Sequence, residues 1–146
     1  MKLNWQELVV TSHLETVDTI RKLIEEKEYE EAIEGLDELY DNMSNADKRA
    51  LESQLTRLMM HILKWRYQPQ KRSTSWARSI VSARKEIKKL QKYMPSLNQH
   101  FIDEVWHECF ADAVDEAKAE MNLSRKDKFE PAHLTGQEVF EDEYLL

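Results

Sequence analysis

The stretch LESQLTRLMMHILKWRYQPQKRSTSW, residues 51–76, decides the fold of this chain. Its first part places apolar residues at steps of three and four, the period of an α-helix that buries one face. Pro69 then ends the helix, because the residue before a proline avoids the helical region. The stretch therefore predicts a long apolar helix that stops near Tyr67 and turns through a polar corner into a second helix.

The composition of the whole chain favours long helices with short links. Its 146 residues include 2 glycines and 3 prolines, and 34% of them are charged. A β-rich domain needs glycine at many turns, and this chain does not supply them. A chain of this length can build one core without disulfides, so we predict a single domain over residues 1–146.

Outward from the corner, apolar periodicity and capping residues predict the remaining helices. Two helices, over 5–26 and 28–42, precede it. Ser44 is the expected N-cap of the helix that ends at Tyr67, and Ser96 that of a fifth helix ending near residue 121. Thr135 with Glu138 predicts a short terminal helix within 122–146. The predicted fold class is an all-α, single-domain bundle of about five helices with a short C-terminal helix or tail. A fourth helix is expected over 75–94.

Two apolar sets carry specific expectations about burial. The residues of the second helix expected to face inward are Tyr29, Ile33, Leu36 and Tyr40. Met60, Leu63 and Tyr67 lie opposite the core stripe of the third helix. They indicate either a homodimer contact or a helix buried on all sides.

Charge is distributed unevenly within the net charge of −7. Residues 1–43 hold 4 basic and 12 acidic groups, and residues 93–146 hold 4 basic and 13 acidic groups. Between them, residues 64–92 hold 10 basic groups against one acidic group, Glu86. This basic band, residues 64–92, predicts binding to an acidic protein or to a nucleic-acid backbone.

A line of polar residues borders the core face of the third helix. On a helical wheel of 100° per residue, Gln54, Arg57, His61, Lys64 and Gln68 follow one flank of that face. Groups at such a border are partly desolvated, and desolvation together with neighbouring cations lowers the pKa of a histidine.

Antiparallel packing of the third and fourth helices would bring more polar groups to this line. Arg84 borders the core face of the fourth helix, and Arg72 and Ser75 lie in the link. The predicted polar cluster consists of Arg57, His61, Lys64, Gln68, Arg72, Ser75 and Arg84.

The same residues also have a structural interpretation. A histidine beside a core is more often a hydrogen-bonded structural residue than a catalyst. Lys64 can run its stem along the core and reach water with its ammonium. Trp65 and Trp76 are more often core anchors than base-stacking platforms, and arginines in a link often pair with acidic helix faces.

The stretch 51–76 resembles the signature of a bacterial family called domain of unknown function twenty-nine, found largely in cyanobacteria and other bacteria. That signature is similar to LES-LxxLLMHLLKW-YQP-xRSxSW, followed by a basic helix and then by PSL. The matching residues here are Leu51, Glu52, His61, Lys64, Trp65, Tyr67, Gln68, Pro69, Arg72, Ser73, Ser75, Trp76, Arg84, Pro95, Ser96 and Leu97. Where the family often shows a Cys-Pro-Tyr element, this chain has Pro131, His133 and Thr135. The resemblance implies the helical fold and brings no agreed activity.

Two functions remain open from the sequence. The first is a small intracellular regulatory or interaction protein that uses the basic band. The alternative is a helical-bundle ribonuclease of toxin type, with His61 as general base or acid and Arg57, Lys64 and Arg72 stabilising phosphate charge. A purely structural role of the band is the third interpretation.

Other classes of site find little support. There is no glycine-rich phosphate loop, so no nucleotide cofactor is expected. His100, Asp103 and His107 share a helix face but lack a second metal-binding motif, so no metal is expected. Cys109 lies in an apolar run and is expected to be a buried thiol. With no secretory h-region and no stretch of roughly 20 apolar residues, we expect a cytoplasmic protein that does not enter a membrane.

Overall fold

The computed structural model describes residues 3–146, and within them the regular secondary structure is helical, with six α-helices, one 3₁₀ turn and no strand. The all-α fold class is confirmed. The chain divides into two compact units, Met1–Lys48 and Arg49–Leu146, called here the N-terminal and C-terminal units. A single domain over 1–146 stays a prediction.

The first predicted helix is divided into α1, Trp5–Thr11, and α2, His13–Glu25. Ser12 between them has an extended backbone with φ −160° and ψ 119°. Its amide donates to the carbonyl of Leu8, and its hydroxyl accepts from the amide of Glu15 at 3.1 Å. Ser12 therefore ends one helix and caps the next, which explains the weak apolar pattern at this point.

A single helix, α3, runs from Tyr29 to Tyr67 over 39 residues. The prediction of two helices separated at an N-cap on Ser44 is wrong, since Ser44 is a buried residue inside α3. The segment from Asp41 to Lys48 contains neither glycine nor proline. Asparagine, serine and aspartate weaken a helix by only a few tenths of a kcal/mol each, roughly, so the helix continues through them.

In the N-terminal unit, α3 packs against Trp5 of α1. The Trp5 indole donates from Nε1 to Oε1 of Glu31 at 3.0 Å. Its ring lies so close to Gly35 that a Cβ there would meet ring carbons at 2.5–2.8 Å. The glycine is required because no side chain fits under the indole. Val9, Ile20 and Leu39 complete this small core.

The inward orientation predicted for the second helix is wrong. The exposed residues are Tyr29, Ile33, Leu36 and Tyr40. The face of α3 that packs instead carries Ala32, Gly35 and Leu39, which are buried. Small side chains let another helix come close, so they define the contact face, while the larger apolar residues on the neighbouring arc stay in solvent.

The C-terminal unit holds the larger core. It contains the part of α3 from Arg49, α4 at Thr74–Tyr93, α5 at Gln99–Glu120 and α6 at Gly136–Phe140, with a 3₁₀ turn at Pro69–Lys71. Met60 and Leu63 are buried, which favours a helix buried on all sides over a dimer contact, whereas Tyr67 is 42% exposed. The fully buried residues of α3 in this core are Leu51, Leu55, Leu58, Met59, Ile62 and Leu63.

Caps define the ends of the helices in this unit. Ser73 accepts from the amide of Trp76 and caps α4. Asn98, rather than the predicted Ser96, accepts from Phe101 and caps α5, because the chain makes a turn over 95–98 before the helix begins. The predicted capping box of Thr135 and Glu138 is confirmed at the start of α6.

We predict that Gly35→Ala destabilises the N-terminal unit by about 1–3 kcal/mol, because the added methyl overlaps the Trp5 ring. Helix propensity alone would favour alanine by about 1 kcal/mol, so the sign of the effect reports the packing. Amide hydrogen exchange of α1 and α2, with thermal unfolding, measures it. Gly136→Ala is the matched control, since nothing lies within 4 Å of that position. Equal behaviour of the two variants would contradict the prediction.

Candidate functional site: the corner between α3 and α4

The corner forms because Pro69 prevents α3 from continuing. The amide of Gln68 still donates to the carbonyl of Lys64 at 2.8 Å, but Gln68 itself leaves helical geometry with φ −129° and ψ 63°. The amide of Lys71 then donates to the Gln68 carbonyl at 3.0 Å and closes the 3₁₀ turn. Gln68 therefore has a defined backbone role at the corner.

Lys64 is buried at the centre of the site, with 6% of its surface exposed. Its ammonium lies 4.4 Å from the centroid of the Trp76 ring and 3.7 Å from Oε2 of Glu120. The Glu120 side chain is 54% exposed, so the charge pair borders solvent. A cation desolvated on an aromatic face gains roughly 1–2 kcal/mol from the ring. Lys64 is thus held by α4 and α5 together.

His61 lies one turn before Lys64 and is half-buried. Burial, followed by the positive charges of Lys64 and Arg57, lowers the pKa of His61 to about 4, while Glu120 acts weakly in the opposite direction. Its Nδ1 is buried and has no hydrogen-bond partner among residues 3–146. The imidazole is therefore neutral at physiological pH, as the sequence predicts for a residue at the border of the core.

Arg57 lies two helical turns before Lys64, away from the corner. Its Nη1 lies 3.4 Å from Oε1 of Gln54. It lines a groove of about 630 Å³ formed by α3 and α5, whose other charged residues are Arg49, Glu52, Asp112, Asp115 and Glu116. The mixture of charges in this groove gives it no strong preference for an anion.

Arg72 and Arg84 are connected through two aromatic rings. The guanidinium of Arg72 donates from Nε to the Trp65 carbonyl at 2.7 Å and lies 5.1 Å from the centroid of the Trp65 ring. Trp65 meets Tyr144 edge to face with centroids 5.9 Å apart. The guanidinium of Arg84 lies 5.7 Å from the centroid of the Tyr144 ring. Alternating cations and rings attract one another, so the C-terminal tail is held over the corner.

Arg84 also satisfies the end of α6. Its Nε donates to the carbonyl of Val139 at 2.8 Å, and its Nη2 donates to the carbonyl of Glu138 at 3.3 Å. The last carbonyls of a helix have no partner within the helix, so a cation placed there supplies both hydrogen bonds and charge. The hydroxyl of Tyr144 donates to the same Glu138 carbonyl at 2.7 Å, and the Glu138 carboxylate pairs with Arg66.

The structure thus divides the predicted polar cluster. Arg57 and Lys64 both lower the pKa of His61, whereas Arg84 binds the C-terminal segment and Arg72 binds Trp65. Ser75 is exposed beside the capping Ser73. Nothing in the sequence indicates the partners Glu120, Glu138 and Tyr144. They lie in the acidic segment 93–146, and only the packing distinguishes them from other carboxylates and tyrosines there.

The other candidates form no reactive site. Burial raises the pKa of the Cys109 thiol, and its Sγ donates to the Glu52 carbonyl at 3.6 Å, so it remains a protonated core residue. His100 lies 2.9 Å from a Glu104 oxygen, and the side chain of Asp103 accepts from Gln99. Within residues 3–146 no group of three or more His, Cys, Asp or Glu side chains is arranged to hold a metal ion.

The fold and the site together define an all-α protein. Residues 51–76 form the corner between α3 and α4, against which the C-terminal segment packs. The chain belongs to the family described as domain of unknown function DUF29, whose profile matches residues 11–145. This confirms the resemblance on residues 51–76. No curated protein and no solved structure matched the chain. In the part of the chain that is described, no helix has both the length and the apolar character needed to cross a membrane.

We predict that His61 makes folding weaken on acidification. Its pKa falls from 6.5 in the unfolded chain to about 4 in the fold, so between these values the unfolded state binds more protons. Stability is full above pH 6.5 and is lost as pH falls towards 4, by at most about 3 kcal/mol because part of the ring is exposed.

Urea unfolding of wild type and of His61→Gln at pH 7.5, 5.5 and 4.5 measures this contribution. The variant is expected to lose less stability than wild type over this range, whereas the exposed control His100→Gln follows wild type. Parallel curves for wild type and His61→Gln would contradict a depressed pKa.

We predict that Arg84→Met lowers the stability of the C-terminal unit by about 2 kcal/mol, because the Glu138 and Val139 carbonyls lose a charged donor. Amide exchange over residues 134–144 should accelerate. Arg78→Met, on the exposed face of the same helix, is the control and should leave both quantities unchanged. The prediction fails if the two variants melt and exchange alike.

Proposed function

We propose that this protein is an interaction module that binds an acidic, partly apolar segment of a partner protein on the outer face of α4. The observation that carries the proposal is a row of exposed cations along a groove with apolar residues in it. Some cations of the basic band make contacts within the chain, and the others are exposed on the surface.

Four of the ten cations of the basic band make ion pairs or hydrogen bonds with other parts of the chain. Lys64 and Arg66 pair with glutamates, and Arg72 and Arg84 donate to backbone carbonyls. Lys89 lies 3.6 Å from Glu86 on the surface. Exposed cations of the band with no such contact within residues 3–146 are Lys71, Arg78, Lys85, Lys88 and Lys92.

Most of these cations share one side of α4. At 100° per residue, Arg78, Lys85, Lys89 and Lys92 fall within about 60° of one another. They lie opposite the buried side of the helix, which carries Ile80, Ala83 and Ile87. A partner therefore meets a continuous positive row on a rigid helix, a geometry that favours rapid association with an acidic surface.

A groove of about 450 Å³ runs beside this row. Arg78, Lys85 and Lys89 line it together with the half-exposed Val81 and with Leu145 of the tail. Apolar residues between cations fit a peptide that alternates acidic and apolar side chains. A bare phosphate backbone would leave Val81 and Leu145 unused.

The test uses a fluorescent peptide of alternating glutamate and leucine, together with a duplex DNA of random sequence. We predict that the peptide binds wild type and that the double variant Lys85→Glu with Lys89→Glu weakens it at least tenfold. The matched control is Lys126→Glu with Lys128→Glu, two exposed cations in the loop after α5. Fluorescence anisotropy at 50 and 200 mM salt gives both affinity and salt dependence.

Three results would overturn the proposal. The first is equal affinity of the peptide for wild type and for the α4 variant, and the second is no binding of the peptide to wild type. The third is tighter binding of the duplex, with a log–log salt slope of about −0.9 per neutralised phosphate, which would assign the face to nucleic acid.

The ribonuclease alternative stays a prediction without specific support. A general base must reach the proton that it removes. The Nδ1 atom of His61 is buried, and Lys64, the nearest proposed phosphate-stabilising cation, is committed to Trp76 and Glu120.

A further inference from the structure

The N-terminal unit carries an apolar seam that its own helices leave uncovered. On α3 the seam consists of Tyr29, Ile33, Leu36, Tyr40 and Met43, all of them exposed. Their spacing is four, three, four and three residues, the repeat by which one helix packs along another. Ile33 and Tyr40 take the a positions of this heptad, and the other three residues take the d positions.

The two sides of the seam differ. On the g side, Ala32 and Leu39 are buried in the core of the N-terminal unit with Trp5, Val9 and Ile20. On the e side, Glu30 and Asp37 are exposed, and Glu34 and Asp41 lie beyond them at b positions. Among these four carboxylates the structure records no hydrogen bond or ion pair within residues 3–146. The open side of the seam is therefore acidic.

The whole unit reinforces this charge. Residues 1–48 contain 5 basic and 13 acidic groups, whereas residues 49–146 contain 16 basic and 15 acidic groups. The unit that carries the seam therefore has a net charge of −8 (5 − 13), whereas the C-terminal unit has +1 (16 − 15). A helix that docks there meets an apolar stripe with negative charge along its accessible edge.

We propose that the seam of the N-terminal unit is a docking site for an amphipathic helix of a partner protein, with apolar residues at its a and d positions and lysine or arginine on its flank. The seam spans about two heptads, so the complement is one short helix rather than a long coiled coil. The apolar residues provide affinity by leaving water, and the flanking charges select the partner.

A second copy of this chain fits the seam poorly. In an antiparallel pair, Glu30 and Asp37 would face the same carboxylates of the other copy. In a parallel pair they would face Ala32 and Leu39, which are already buried. The basic helix α4 of a second copy cannot be the docked helix either, because its apolar residues Ile80, Ala83 and Ile87 are buried in the core of its own C-terminal unit.

The test titrates full-length protein with two synthetic 18-residue helices, measured by fluorescence anisotropy. Both peptides carry leucine at a and d, and they differ only in having lysine or glutamate at e and g. The lysine peptide is expected to bind at least tenfold more tightly than the glutamate peptide. Its affinity should fall as salt rises, and Glu30→Gln with Asp37→Asn should flatten that salt dependence.

A pair of matched variants locates the binding site. Ile33→Ser with Tyr40→Ser removes the two a-position side chains and should weaken the lysine peptide at least tenfold. Both residues are exposed, at 56% and 66%, so the melting curve should stay unchanged. Val81→Ser with Tyr93→Ser removes comparable exposed apolar groups from α4, at 50% and 81%, and should leave binding intact.

Three outcomes would overturn the proposal. The first is that the lysine peptide does not bind wild type, and the second is that it binds the Ile33→Ser, Tyr40→Ser variant as tightly as wild type. The third is that the glutamate peptide binds wild type as tightly as the lysine peptide does. Sedimentation equilibrium adds a fourth. A dimer that this double variant dissociates would show that a second copy covers the seam.

Discussion

The carbonyl groups at the end of α6 have no hydrogen-bond partners within that helix. The guanidinium of Arg84 donates to two of them, those of Glu138 and Val139. The same guanidinium lies 5.7 Å from the centroid of the Tyr144 ring, and Tyr144 meets Trp65 at the corner in an edge-to-face contact. Helix ends that are buried without partners are costly, so the arginine stabilises the packing of the C-terminal segment on the C-terminal unit.

The cations of the basic band fall into two groups, those that make contacts within the chain and those that are exposed on α4. The cations that border the core of the C-terminal unit bind carbonyls, glutamates and aromatic rings, as Lys64 does with Trp76 and Glu120. Those on the far side of α4, such as Arg78 and Lys85, are exposed and line the groove beside Val81. Charge counted along the sequence overstates what the surface offers, because four of the ten cations are engaged in ion pairs or hydrogen bonds within the chain.

The sequence predicted some features that depend on local geometry, although it misplaced N-caps at Ser44 and Ser96, and it missed what depends on distant partners. The corner at Pro69 and the capping box at Thr135 follow from backbone chemistry within a few residues. The bond from Arg84 to Val139 joins positions 55 apart, and a helical wheel gives only the direction of Arg84 on its own helix. Periodicity also predicted burial for Ile33, which is exposed. Periodicity shows which face of a helix is apolar. Which face of α3 packs against α1 depends on the small Gly35.

The most direct measurement is the rate at which the side-chain Nε–H protons of arginine exchange with water, read from ¹⁵N-edited spectra of the intact protein. The guanidinium protons of Arg72 and Arg84 donate to backbone carbonyls, so they should exchange far more slowly than those of the exposed Arg78. They should also stay slow when an acidic peptide binds α4. Exchange of Arg84 as fast as that of Arg78 would contradict the division of the basic band into internal and surface cations.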